Sequence, residues 1–314
     1  MRVLARIDMQ DERHIPVMLD ETLAALAVRA DGTYLDGTFG RGGHARALLA
    51  GLGPAGRLLL MDRDPSAVAA ARAEFGGDAR VMIRHGNFAD LADWDATAAG
   101  LDGVLLDLGV SSPQLDDAAR GFSFQADAPL DMRMDPSRGE SAAAFLARAA
   151  EGEIADVLWR YGEERMSRRI AHAVVEQRRQ APIARTLELA ELVARIVGRR
   201  EPGKHPATRT FQALRIAVNG ELDALERGLQ GALARLRPGG RLAVISFHSL
   251  EDRAVKQFLR AESRAPAGRR NAPPPAAVPL RLTEIGGAQF PGEAEVARNP
   301  RARSAVLRVA ERRA

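Results

Sequence analysis

Three aspartates carry the densest chemistry in this 314-residue sequence. Asp36, Asp62 and Asp107 each close a short apolar run: Tyr34-Leu35, Leu58-Leu59-Leu60-Met61 and Val104-Leu105-Leu106. A carboxylate at a strand tip can accept hydroxyl hydrogens, balance a cation or take up a proton. Asp36 also opens the segment Asp36-Gly37-Thr38-Phe39-Gly40-Arg41-Gly42-Gly43-His44. Its four glycines, set between a strand and a helix, let backbone approach a ligand closely. Gly40, Gly42 and Ala45 even fit the loose dinucleotide fingerprint.

Two features turn the glycine loop away from a dinucleotide. A pyrophosphate must sit on the helix N-terminus directly after the strand, whereas Gly40 lies five residues beyond Leu35. Asp36 would also repel a pyrophosphate, while suiting a ligand with an ammonium and a sulfonium. S-adenosylmethionine is such a ligand. Asp62, 26 residues after Asp36, is placed to accept both ribose hydroxyls. That role serves NAD and S-adenosylmethionine alike. Asn87 and Phe88 follow the third strand, where a flat apolar ring beside a polar group could sandwich an adenine or simply pack in the core.

Asp107 begins the segment Asp107-Leu108-Gly109-Val110-Ser111-Ser112-Pro113-Gln114. At this position an acceptor could hydrogen-bond an exocyclic amine and take its proton after transfer. Asp107 could equally hold the amino-acid part of the cofactor, and Ser111-Ser112-Pro113 could be a plain turn. The chain has no cysteine. Methylation of a cytosine at carbon 5, which normally needs a thiolate attacking the ring, is therefore closed, as are disulfides and cysteine-ligated metals, while methylation at nitrogen or oxygen stays open. The later segment Ser246-Phe247-His248-Ser249-Leu250-Glu251-Asp252-Arg253 also follows a strand. Ser246 and His248 are too close for an ordinary triad, and no G-x-S-x-G elbow is present. The six histidines are scattered, without a metal-binding motif, so no metal is expected.

The elements that must position these groups read as an α/β pattern. Strands at 34–35, 58–61, 81–83 and 104–106 alternate with helical spacing at 44–52 and 64–75. Asp64-Pro65 reads as N-cap and first-turn proline. Continuous apolar strands between helices indicate a parallel sheet covered on both faces. From about 115 to 215 no convincing strand occurs, and 154–159, 170–175 and 187–197 look helical. Leu222, Leu225, Leu229, Leu233 and Leu236 then mark a long amphipathic helix ended by Pro238-Gly239-Gly240, before the strand Leu242-Ala243-Val244-Ile245. Residues 261–303, rich in proline and arginine, read as irregular, and 305–309 as a final strand. The expected organisation is a discontinuous domain, 1–114 with 216–314, interrupted by a helical insert, 115–215.

Composition fits a globular protein: 46% hydrophobic and 27% charged, with a net charge of +4. Residues 160–215 carry a net +7 and 260–314 a net +6, leaving the remainder at −9. Such a division suits a polyanionic partner docking on the basic regions, though an arginine-rich solvated surface would look the same. No apolar run approaches the ~20 residues of a membrane span, and residues 1–12 lack a signal-peptide core. A cytoplasmic protein without membrane contact is expected; oligomeric state is not legible.

Six segments, read together and in order, match one family. His14-Ile15-Pro16-Val17-Met18, residues 36–44, 107–114, His205-Pro206-Ala207-Thr208-Arg209-Thr210-Phe211-Gln212, residues 246–253, and Asn299-Pro300-Arg301-Ala302-Arg303-Ser304 resemble the bacterial 16S ribosomal RNA cytidine N4-methyltransferases, the RsmH or MraW family. The resemblance implies a class I S-adenosylmethionine-dependent methyltransferase fold. This is Rossmann-like, with a mostly parallel seven-stranded sheet and an inserted helical domain for substrate recognition. It implies S-adenosylmethionine as methyl donor and a decoding-centre cytidine of 16S rRNA, within the small ribosomal subunit, as acceptor. By position, the cofactor residues would be Gly42, Gly43, His44, Asp62, Phe88, Asp107 and Gln114, with Asp107 also the candidate catalytic residue. Asp36 lies beside this set without being carried over. The stretch 264–280 aligns least and receives no role. The rival readings are methylation of an amine on DNA or protein, and a non-catalytic RNA-binding assembly protein.

Overall fold

The computed structural model describes residues 16–198, 205–265 and 279–314. His14, and residues 266–278 of the proline- and arginine-rich stretch, lie outside the described residues. After helix α1 (Leu19–Leu26), β1 (Thr33–Asp36), α2 (Gly43–Ala50), β2 (Arg57–Asp62), α3 (Pro65–Phe75), β3 (Val81–His85) and β4 (Leu101–Asp107) follow in alternation. Short α4 (Ser112–Asp116) leads into five helices: α5 (Ala142–Arg148), α6 (Glu151–Gly162), α7 (Ser167–Gln180), α8 (Thr186–Val197) and α9 (Thr208–Asn219). The chain returns through α10 (Glu221–Arg235), β5 (Leu236–Ser246), α11 (Ser249–Ser263), β6 (Leu282–Glu284), α12 (Glu293–Arg298) and β7 (Val306–Arg312).

The seven strands form one sheet in the order β3-β2-β1-β4-β5-β7-β6, with β7 antiparallel to both its neighbours and the other pairs parallel. This is the class I methyltransferase arrangement. Its central strands read as continuous apolar runs because helices cover both faces. Leu35, Leu58, Leu59, Leu60, Val104, Leu105 and Leu106 are all buried. Strand order reverses between β1 and β4, the point outside whose carboxyl ends an open α/β sheet receives ligands. Asp36 pairs in register with Leu60 and Leu105, and Asp107 with Ile245, so the strand-end acids lie together at this edge of the sheet.

The segment between β4 and α10 has its own hydrophobic cluster, including Phe122, Leu146, Ile154, Leu158, Ile170, Val193, Phe211 and Leu214. Its described residues contain no strand, only an isolated bridge between Pro129 and Arg185. The two sheet faces hold the other two clusters.

Two sequence expectations need correction. The amphipathic helix stops at Arg235, and Leu236 already opens β5, which runs through Pro238-Gly239-Gly240 with a register shift against β4. Residues 261–303 also hold more structure than expected: the end of α11, then β6 and α12. β6 is only three residues long, so periodicity could not reveal it. It exists because it pairs with β7 and fully buries Leu282.

Candidate functional site

One crevice at the carboxyl edge of β1, β2, β4 and β5 gathers Gly43, His44, Asp62, Phe88, Asp107 and Gln114 in its walls. Gly42 stands just behind them. It caps the N-terminus of α2 at φ +73°, where a side chain is strained, and an added Cβ would lie 2.7 Å from the Phe39 ring. Gly43 lies against Pro16, where a Cβ would be 2.9 Å away.

The loop after β1 is stitched to the strand ends beside it. Gly37 N–H donates to Leu105 C=O and Phe39 N–H to Met61 C=O. Thr38 ties two acids together: its N–H donates to Asp36 Oδ1 at 3.1 Å, and its hydroxyl accepts from Asp107 N–H at 2.7 Å. Asp62 accepts Gly40 N–H on Oδ2 and Asp64 N–H on Oδ1, both at 2.8 Å. Each oxygen keeps a lone pair for a further donor.

The acids are electrostatically strained. Burial pushes the Asp36 carboxyl up to about 7, against the Thr38 N–H and helped by the Asp62 charge. Burial likewise lifts Asp62 to about 6, opposed by the N–H groups of Asp64 and Gly40. Asp107 is raised well above the ordinary range by burial and then by the charges of Asp36 and Glu251. Among the described residues, Asp107 Oδ1 is buried without a hydrogen-bond partner.

His44 adds an acceptor to this group. Its Nε2 lies 3.0 Å from Val17 C=O, which can only accept, so Nε2 carries the hydrogen. Burial holds the ring neutral, its pKa pushed down to about 4. Nδ1 then presents a lone pair 3.8 Å from Asp107 Oδ2. With Asp107 Oδ1 unpartnered and His44 Nδ1 presenting a lone pair, this side of the crevice suits a ligand that brings N–H groups and positive charge.

The opposite wall is apolar. Phe88 lines the crevice with Ala224 and Leu225 of α10. The helix comes this close because position 228 is glycine: a Cβ there would lie 2.5 Å from Phe88 Cδ2. Core packing and crevice lining are thus combined in one ring.

Gln114 acts chiefly as a brace. Its Oε1 accepts from Ser111 N–H at 2.9 Å, and Nε2 donates to Asp64 Oδ2 at 2.8 Å. The same Asp64 oxygen accepts from Arg120 Nη1 at 2.8 Å, and Arg120 Nη2 reaches the carbonyls of Arg133 and Met134. Burial would raise the Asp64 carboxyl, but bonds from Ser66, Gln114 and Arg120 hold it below the usual range. Thus Asp62, Asp64, Arg120 and the wall residue Met134 form one connected unit reaching from β2 into the helical segment.

Sequence reasoning read Asp64 only as a helix cap. The cap is real, through Ser66 N–H, but its partners Gln114 and Arg120 lie 50 and 56 residues away and leave no local signal. Thr38 and Glu251 were likewise passed over as site residues. Glu251 is buried and lines the crevice. Its Oε2 accepts from Phe247 N–H at 2.8 Å and His248 N–H at 3.3 Å. Burial raises its carboxyl, and the His248 ring, Arg215 and the Phe247 N–H more than offset this. His248 itself caps α11 and does not line the crevice.

Glu221, His248 and Glu251 place ligand-type atoms within 4.8 Å of one another. The Arg215 guanidinium already sits against them, 2.8 Å from Glu221 Oε2 and 4.0 Å from Glu251 Oε1, so the cluster is a compensated ion network. No helix among the described residues is long and apolar enough to cross a membrane.

Comparison with known proteins agrees with the topology. The model of the MraW methylase family matches residues 11–313. Ribosomal RNA small subunit methyltransferase H of Stenotrophomonas maltophilia (strain K279a) is 60% identical over 300 residues, covering 96% of this chain and 93% of that protein. The protein of the same name from Xanthomonas oryzae pv. oryzae (strain PXO99A) is 60% identical over 299 residues, covering 95% and 88%. With seven strands in methyltransferase order and the family's model spanning residues 11–313, the chain belongs to the MraW methylase family.

Proposed function

We propose that this methylase transfers the methyl group of S-adenosylmethionine to the exocyclic N4 amine of a cytidine in the decoding centre of 16S rRNA, acting on the small ribosomal subunit in the cytoplasm. The observation that carries the reading is the meeting of Asp62 and Asp107 in one crevice, with the buried Asp36 tied to Asp107 through Thr38 and with Asp107 Oδ1 buried and unpartnered among the described residues. The 60% identity to small-subunit rRNA methyltransferases supports the substrate class.

The residues present fit the methyl donor. Asp62 keeps lone pairs for ribose hydroxyls, Phe88 with Ala224 and Leu225 offers an apolar wall for a base, and Asp107 and His44 Nδ1 offer acceptors to an ammonium. Gly42 packs against Phe39 and Gly43 against Pro16 where side chains would not fit, and Gln114 braces Ser111 against Asp64. When bound, S-adenosylmethionine supplies an electrophilic methyl group on a sulfonium.

The protein has two tasks beyond binding. The first is alignment, which a loop stitched to three strand ends provides before any ligand arrives. The second is the amine proton. A cytosine amine is a weak nucleophile because its lone pair is delocalised into the ring. Asp107 Oδ1 is placed to accept an N–H hydrogen and take the proton. Burial and the Asp36 and Glu251 charges give Asp107 a high proton affinity, and positive charge bound beside it brings that affinity back toward the working pH. No enzyme nucleophile is needed.

The helical segment 115–215 is the substrate-recognition unit in this reading. Arg168 and Arg169, exposed on α7, suit phosphate contacts. Labelled methyl transfer tests the proposal: small subunits from cells lacking this protein, duplex DNA and total protein are offered in parallel. Incorporation into the small-subunit rRNA alone is expected. Incorporation into DNA or protein instead would replace this reading.

A further inference from the structure

The residues assigned above hold the cofactor and the amine, and leave the face of the acceptor base without a partner. The turn after β5 supplies one. Asp107 pairs with Ile245, and the pairing continues past it through Leu108 N–H donating to Ile245 C=O at 2.9 Å. One residue further, Gly109 stands opposite Phe247, whose Cδ2 lies 3.6 Å from where a Gly109 Cβ would be.

Side chains alternate across a sheet. Ala243, Ile245 and Phe247 share a hydrophobic cluster with Leu105, so Phe247 lies on the face to which Leu105 and Asp107 belong. At about 3.3 Å per residue and 4.8 Å between strands, its Cα is roughly 8 Å from that of Asp107. A flat pyrimidine whose amine meets Asp107 spans that gap. Phe247 is half-buried and lines the crevice, so part of its ring faces the open space. The turn is also fixed: the buried Glu251 carboxylate accepts from both Phe247 N–H and His248 N–H.

We propose that Phe247 is the platform on which the target cytosine stacks while its amine meets Asp107, an inference that rests on the cytosine-N4 reading. Unpaired bases are commonly held this way, splayed out and stacked on an aromatic ring. The platform comes from the strand beside the one carrying the proton acceptor, so one rigid sheet edge sets the angle between base plane and acceptor.

The test compares F247L, F247Y and F247W with the wild-type chain. Small subunits from cells lacking the protein serve as substrate. Cofactor affinity is measured by calorimetry and melting temperature by circular dichroism. F247L should lower kcat/KM for subunits by roughly 5- to 100-fold, the scale of one lost base–aromatic stack, with cofactor affinity within twofold of wild type. F247Y and F247W should retain most of the activity. A purely packing role predicts the reverse order, because leucine fits a core site better than tryptophan does. The platform is overturned if F247L keeps wild-type kcat/KM, if F247W is impaired more than F247L, or if cofactor affinity falls in step with rate. Nucleoside mass spectrometry of the wild-type product separates the two levels. N4-methylcytidine from wild type together with a fully active F247L refutes the platform alone. A methyl group on another atom refutes the cytosine assignment and the platform with it.

Discussion

Replacing Asp36 by asparagine should make the ligand-free protein more stable at high pH and leave it little changed near pH 4. Asp36 is 1% exposed, and burial lifts its carboxyl from 3.8 to about 7. Below about pH 4 the carboxyl is protonated in both the folded and unfolded chains, so folding carries no charge penalty. As pH rises from about 4 to 7, the unfolded chain loses its proton first and the folded state becomes progressively less favoured. Above about 7 the penalty is constant. A shift of about three units at ~1.4 kcal/mol each sets a ceiling of about 4 kcal/mol. Asparagine keeps an oxygen for the Thr38 N–H and removes the charge that faces Asp62 and Asp107. Urea unfolding of both proteins between pH 5 and 8 measures the difference directly. The substitution should stabilise by roughly 2–4 kcal/mol at pH 8, shrinking steadily toward pH 5. Contributions from His44 are common to both proteins and cancel. The same variant should bind the cationic methyl donor more weakly, because the buried Asp36 charge adds to the negative field at Asp107. A stability difference that does not vary with pH, or a variant less stable at pH 8, would refute the electrostatic argument.

Four further outcomes follow from the site. Asp62→Ala should weaken S-adenosylmethionine binding by about 1.5–3 kcal/mol, as for hydrogen bonds lost to a charged acceptor; unchanged affinity by calorimetry removes Asp62 from the ribose role. Asp107→Asn should weaken cofactor binding and still leave the single-turnover rate down by about 10²-fold at saturating cofactor; complete recovery at saturation would limit Asp107 to holding the cofactor. Gly228→Ala should cost about 1–3 kcal/mol by driving a methyl group into the Phe88 ring, and should raise the cofactor Kd; a variant that melts higher, as helix propensity alone would predict, contradicts that contact. Glutamate at both Arg168 and Arg169 should lower rRNA affinity and flatten its salt dependence by roughly two units of slope, with cofactor affinity unchanged; an unaltered slope would mean that α7 faces solvent in the complex.

The parts legible in the sequence are those where local pattern and tertiary role coincide. Leu58 to Met61 form a continuous apolar run because β2 is covered on both sides, and Asp62 ends the run because it sits at the open edge. Asp64-Pro65 announces α3 by a bond within two residues. The glycine cluster at 37–43 reflects contacts that leave no room for side chains, such as Gly43 against Pro16. What stayed hidden depends on long-range partners. β6 is held by pairing with β7, and Gln114 is oriented by Asp64 from 50 residues away. Glu251 reads as an ordinary helix-start acid until the fold buries it beside Arg215. Phe247 reads as one apolar residue after a strand, and only the register of β5 against β4 places it near Asp107.

Methyl transfer to a cytosine amine in small-subunit rRNA is the proposed task of a crevice lined by Asp62 and Asp107, with Asp36 buried beside them. The most direct measurement incubates small subunits from cells lacking this protein with the purified chain and S-adenosylmethionine, then identifies the modified nucleoside and its position by mass spectrometry of 16S rRNA digests. N4-methylcytidine at a single decoding-centre position is expected, strongly reduced with Asp107→Asn. A methyl group on cytosine carbon 5, on ribose or on another base would contradict it.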